Sequence, residues 1–157
     1  MRRVNISDLE FEYSEDDPQG FQSGRVRLGP QLGGQQLGAS VYELSPGQAI
    51  CPYHYEYGEE EWLLVLQGAP TVRHPQGTEV LDPWDVVCFP RGPEGAHLVR
   101  NETDDPVRVL MFSSVVYPTV SVYPDSDKIG IWTGNKEDDL MVRRSSGVGY
   151  FDGEVSN

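Results

Sequence analysis

This chain is poor in basic residues and cysteine, and no stretch of it stays apolar for long. The longest unbroken apolar run is Trp62 to Leu66, far short of the ~20 residues that carry a helix across a bilayer. Met1, Arg2 and Arg3 are followed by no apolar stretch, so a secretory signal is not expected and a cytoplasmic location is. Twelve Lys and Arg stand against 25 Asp and Glu, which leaves a formal charge of −13. That balance repels phosphate-rich polymers and anionic lipid, so neither nucleic acid nor membrane is expected as a partner. No DNA-reading helix or basic patch offsets it. The two cysteines, Cys51 and Cys88, read as free packing thiols rather than a disulfide framework.

What the chain has in quantity is punctuation. Seventeen Gly and 12 Pro separate short β-prone runs, a pattern that argues for an all-β sandwich or barrel. Strands are expected at Arg25–Leu28, Leu37–Leu44, Trp62–Leu66, Thr71–His74, Thr78–Leu81, Asp85–Phe89, Ala96–Arg100 and Val107–Val116. A hairpin around Pro124–Asp127 and a short helix at Lys136–Arg143 are expected beyond them. The Gly-Gln segment before Leu37 reads as a loop. The length of 157 residues suits one domain. The expected division is an N-terminal arm over 1–20, a barrel core over about 24–116, and a hairpin and tail over 117–157.

Trp62 to Leu66 is apolar at every position, whereas a strand with one wet face alternates. Both of its faces need cover. A barrel interior supplies one. The N-terminal arm or a second copy of the chain supplies the other, which is the physical reason to expect a homodimer.

The chemistry concentrates between Gly47 and Gly68. His54 and Glu56 are two apart in an extended segment, so both leave one face of it. Glu61 shares a strand face with Leu63 and Val65. His97 follows the Pro90–Gly95 loop, and Asn101 follows His97 by four. An imidazole and carboxylates beside a β-rich apolar run are the raw material of a metal site.

Here the chain resembles the cupin superfamily. Its first motif, G-x5-H-x-H-x(3,4)-E-x6-G, is met by Gly47, His54, Glu61 and Gly68, with Glu56 at the second histidine and one extra residue before His54. Its second, G-x5-P-x-G-x2-H-x3-N, is met by Pro90, Gly92, His97 and Asn101, with two residues inserted before His97 and Trp84 at the opening glycine. The resemblance covers about residues 38 to 115. It implies an all-β double-stranded β-helix, the jelly-roll barrel of small single-domain cupins, with His54, Glu56, Glu61 and His97 around a divalent metal. Two carboxylates would neutralise a divalent cation, and such hard donors favour manganese or iron, with zinc or nickel possible. The resemblance further implies a small-molecule ligand inside the barrel. The protein is then a metal-dependent enzyme of dioxygenase or isomerase/epimerase type, or a non-catalytic cupin that binds a small ligand or metal only. Val99 and Met111 are expected as apolar lining. Tyr53, Tyr55, Tyr57 and Trp62 are expected as pocket rim, core or dimer contacts, His74 as a surface residue, and Arg100 as pointing away from the interior.

Overall fold

The computed structural model describes residues 1–154. Its strands are β1 (Gly24–Arg27), β2 (Leu37–Leu44), β3 (Tyr55–Glu56), β4 (Glu61–Gln67), β5 (Thr71–His74), β6 (Gly77–Val80), β7 (Val86–Phe89), β8 (Leu98–Arg100), β9 (Val107–Ser114), β10 (Thr119–Tyr123), β11 (Lys128–Trp132) and β12 (Leu140–Arg143). They form a five-stranded sheet ordered β1-β2-β9-β4-β7, a four-stranded sheet β12-β11-β10-β3 and a three-stranded sheet β6-β5-β8. All pairings are antiparallel. The fold is the all-β jelly-roll barrel.

One contact joins the two smaller sheets. His54, just before β3, and His97, just before β8, form an antiparallel bridge. The His54 N–H donates to the His97 carbonyl at 3.1 Å, and the His97 N–H returns to the His54 carbonyl at 2.8 Å. The backbone thus ties together the two histidines that the motifs place far apart in sequence.

The doubly apolar strand β4 is covered on both sides. Leu63 and Val65 are fully buried in the main core, with Leu44, Val72, Phe89, Val99, Val107, Val109 and Met111. Burying such a side chain is worth about 1.5–3 kcal/mol. On the opposite face Leu64 and Leu66 pack in a second cluster, with Val26, Val41 and Leu110, beneath Val4, Ile6, Leu9 and Phe11 of the arm. The arm is held by a bridge between Glu12 and Arg25. Cover for that face therefore comes from the chain itself, with Trp62 and Phe112 left about two-fifths exposed.

Two local expectations fail. Lys136–Arg143 holds no helix: Leu140–Arg143 is β12, paired to β11 with Met141 opposite Gly130. The segment lacks a helical apolar stripe, and an open strand edge was there to be paired. The supposed loop before Leu37 contains a one-turn helix, α1 (Leu28–Leu32), closed by Gly33 at φ 77, the left-handed cap that glycine adopts freely. Trp84, which stands at the motif's opening glycine, lies at φ 78, in the left-handed region that glycine adopts freely.

Candidate metal centre

The four expected ligands all sit on strand segments around the His54–His97 bridge. His54 and His97 flank it, and Glu61 opens β4. Each imidazole is aimed by its backbone. His97 Nδ1 lies 2.9 Å from the Gly95 carbonyl and His54 Nδ1 lies 3.1 Å from the Pro52 carbonyl. A carbonyl only accepts, so Nδ1 carries the proton and Nε2 keeps its lone pair. Ring packing fixes the orientation: Phe89 stacks on His97 with centroids 3.7 Å apart, and Tyr123 stacks on His54 at 5.7 Å.

Both Nε2 atoms face Glu61. Its Oε2 is 3.7 Å from His54 Nε2 and 3.5 Å from His97 Nε2. Ligand atoms of His54, Glu61 and His97 all lie within 4.8 Å of one another. Donors about 2.1 Å from one ion stand about 3.0–3.5 Å apart at angles between octahedral and tetrahedral. With Glu61 ionised, two imidazole lone pairs and a carboxylate face inward with no donor between them, and the electrostatics record the conflict. Burial, then the charges of Glu56 and Glu59, pushes the Glu61 carboxyl up to about 8. Burial, and then His54 beside it, pulls His97 down to about 3. Burial lowers His54 as well. A divalent cation satisfies all three groups at once, so these residues fit a metal.

Glu56 is placed differently. Its Oε1 lies 3.9 Å from His54 Nε2 but accepts a hydrogen bond from Ser121 Oγ at 2.5 Å. Ser121 in turn accepts from Trp132 Nε1 at 2.5 Å. The chain of bonds follows the sheet, since Glu56 and Ser121 are register partners on β3 and β10. Glu56 Oε2 is buried without a partner. Burial raises this carboxyl to about 7, with Glu59 pushing the same way and the Ser121 and Thr119 hydroxyls opposing. Glu56 therefore stands beside the three-residue cluster, held by its own serine.

The cluster opens into a cavity of about 450 Å³ whose walls include Arg25, Tyr42, Cys51, Val99 and Met111, with Glu12, Ser14 and Asp17 of the arm at its mouth. Val99 and Met111 line it as expected. Cys51 does more than pack: its Sγ lies 3.5 Å from His54 Nδ1, and burial pushes its thiol up. Cys88 is exposed, not packed inside. Of the four aromatics, none lines this cavity. Tyr53 and Tyr55 belong to a third apolar cluster with Ala96 and Val122. His74 is half-buried and lies 3.5 Å from Glu79. Arg100 does not line the cavity. Asn101 is fully buried away from the cluster, where it ties the end of β2 to the turn after β8. Arg25, Tyr42, Ser121 and Trp132 were missed. Arg25 and Arg27 share one parity on β1, but the sequence does not say which wall of the barrel β1 edges.

Comparison with known proteins adds the following. Residues 40–113 match the sequence profile of the cupin domain. Among proteins of curated function none matches the chain in sequence. A crystal structure from Acidithiobacillus ferrooxidans, provisionally named a sugar phosphate isomerase, superposes with a TM-score of 0.81 at 23% identity, over 92% of this chain and 91% of its own. A second, described as a sugar phosphate isomerase of the cupin superfamily from Silicibacter pomeroyi, does so at 0.80 and 22% identity, over 96% and 98%. The polyketide cyclase RemF of Streptomyces resistomycificus matches at 0.59 and 24% identity, over 73% of this chain and 79% of its own. The barrel, the histidine bridge and both motifs agree with that profile: residues 40–113 carry a cupin domain.

Proposed function

We propose that the protein is a metal-dependent isomerase of a small hydroxycarbonyl compound, with His54, Glu61 and His97 holding the divalent metal and Glu56 moving the proton. The observation that carries this reading is the unpartnered Oε2 of Glu56 beside the three-residue cluster. A divalent cation held by His54, Glu61 and His97 would supply electrophilic pull on a substrate carbonyl oxygen. Glu56 takes the proton from the hydroxyl-bearing carbon next to that carbonyl and returns it to the carbonyl carbon, while the hydroxyl proton passes to the carbonyl oxygen. The exchange is redox-neutral, so no oxidant is required. Ser121 donates to Oε1 and so keeps Oε2 as the basic atom. Trp132 holds Ser121 in turn. Manganese and iron suit a site with a carboxylate among its donors. Two of the solved structures that span nearly the whole chain are named for the same class of reaction.

The test is solvent-deuterium incorporation into a panel of small hydroxyaldehydes and hydroxyketones by manganese- or iron-loaded protein. Wild type is expected to exchange the proton next to the carbonyl. Glu56→Gln is expected to keep its metal by element analysis while exchange falls by about 100-fold or more. Loss of metal from Glu56→Gln would make Glu56 a ligand instead and reject its role as base. Oxygen uptake without exchange would reject isomerisation in favour of oxygenation.

A further inference from the structure

A second cavity, of about 750 Å³, is lined by Arg25, Arg27, Glu56, Thr119, Trp132 and Lys136, among others. It shares Arg25 with the cavity of the histidine cluster. In a chain with 12 basic residues against 25 acidic ones, three cations around one opening is a concentration that needs a reason. Three carboxylates, Glu56, Glu59 and Asp139, line the same opening, each held by neutral donors and none in an ion pair with these cations. Glu56 accepts from Ser121. Glu59 accepts from the Val116 N–H at 3.4 Å. Asp139 accepts from the Thr133 N–H and hydroxyl at 2.8 and 3.2 Å. Among the described residues Arg25, Arg27 and Lys136 form no ion pair.

Arg25 and Arg27 occupy successive exposed positions of β1, so their side chains leave the same face about 6.5–7 Å apart. That spacing lets two planar guanidinium forks close on one tetrahedral anion from two sides. Arg25 also faces Tyr42, whose hydroxyl is pushed up by burial and pulled back by the guanidinium. Arg25 borders the cavity of the histidine cluster as well as this one, and Arg27 borders this one only. We infer that Arg25 and Arg27, with Lys136 beside them, form a subsite for a phosphoryl group, so that the substrate is a phosphorylated hydroxycarbonyl compound. This names the substrate class of the same site and rests on the isomerase reading above. The anion-binding claim is tested apart from it.

The measurement is calorimetric binding of inorganic phosphate and of glycerol 3-phosphate to metal-free protein, so that neither the metal nor turnover contributes. Wild type is expected to bind both, glycerol 3-phosphate at least as tightly. Arg25→Ala and Arg27→Ala are each expected to weaken binding about 10-fold and the double variant about 50-fold or more, as befits charge-assisted bonds. Arg73→Ala, whose partner is Asp125 on the surface, is expected to change nothing. Arg25→Lys is expected to recover part of the loss, since it keeps the charge and loses the fork. Unchanged binding in the double variant would overturn the subsite, showing two solvated surface arginines. Binding of inorganic phosphate alone would overturn it as a substrate-group site. Phosphate binding lost as expected, together with no deuterium exchange by loaded wild type, would keep the subsite and refute only the isomerase.

Discussion

Replacing Asn101 with alanine should unfold this barrel more readily than any other single polar change near the site. Asn101 is fully buried, and every polar atom of its side chain is engaged. Nδ2 donates to the Leu44 carbonyl at 2.9 Å and to the Asp105 carbonyl at 2.8 Å. Oδ1 accepts from the Thr103 N–H at 2.9 Å and from the Thr103 hydroxyl at 2.7 Å. Alanine deletes all four bonds. The Thr103 and Asp105 groups lie nearer the surface, so water replaces much of what they lose, at about 0.5–1 kcal/mol each. The Leu44 carbonyl, in a residue with no exposure, loses its Asn101 donor at a cost of about 1–3 kcal/mol. The sum is about 2.5–6 kcal/mol, which at a urea slope of about 2 kcal/mol per molar lowers the unfolding midpoint by about 1.3–3 M. Asn101→Asp should be no milder, because it sets a carboxylate oxygen against two carbonyls. A loss below about 1 kcal/mol in urea unfolding of Asn101→Ala, with an unchanged slope, would refute the reasoning.

Three other outcomes follow from the same structure. Glu61 and Glu56, raised to about 8 and about 7 in the folded protein, stabilise it fully only below their unfolded values near 4.5. That contribution is lost as pH rises through the folded values. His97, lowered to about 3 from 6.5, works in the opposite sense, and its stabilisation is lost only as pH falls from 6.5. Between pH 6.5 and 8, then, metal-free protein should lose stability while metal-loaded protein should not; a flat urea midpoint for metal-free protein over that range would contradict the assignment. Trp84→Gly should raise stability by about 1 kcal/mol, since it relieves a left-handed backbone on a side chain that is 72% exposed; a lower melting midpoint would mean that the indole makes contacts worth more. Gly95→Ala should cost about 2 kcal/mol or more and lower metal content, because its Cβ would sit 1.7 Å from the Pro90 oxygen in the turn whose Gly95 carbonyl aims His97; Gly149→Ala, with nothing within 4 Å, should leave both unchanged.

The barrel and most of the cluster were legible because they depend on local signals. Leu37–Leu44 and Thr71–His74 became strands with the expected bounds, since β-branched and apolar residues there are bracketed by turn formers. His54 and Glu61 stand at motif spacing around a turn, and His97 at the end of a Pro-Gly loop. The two-residue insertion before His97 is absorbed by the one-turn 3-10 helix Pro93–Gly95, which returns His97 to its place opposite His54. What was illegible depends on pairings across the chain. The Glu56–Ser121 bond spans 65 residues, and Trp132 reaches Ser121 only because β11 lies beside β10. Arg25 enters the cavity wall because β1 edges the five-stranded sheet beneath the arm. The strand at Leu140–Arg143 formed against β11, and its own residues carry little that marks a strand.

The placement of Glu56 bears on more than ligand counting. A neutral imidazole at this position would offer a lone pair and no charge. A carboxylate offers charge, and burial raises both Glu56 and Glu61, with Glu59 adding to each and Glu56 adding to Glu61. The fold answers with a hydroxyl donor, Ser121, that holds one oxygen of Glu56 while the other stays unpartnered. A hydroxyl holding one oxygen orients a ligating carboxylate as well as a base. A group kept to take and return a proton gains, besides that orientation, a single basic oxygen. With Glu56 as the base, removing Ser121 is expected to impair proton transfer before it impairs metal retention, and Ser121→Ala separates the two roles by that order. Metal lost first, with exchange per bound metal unchanged, would return Glu56 to the ligand set.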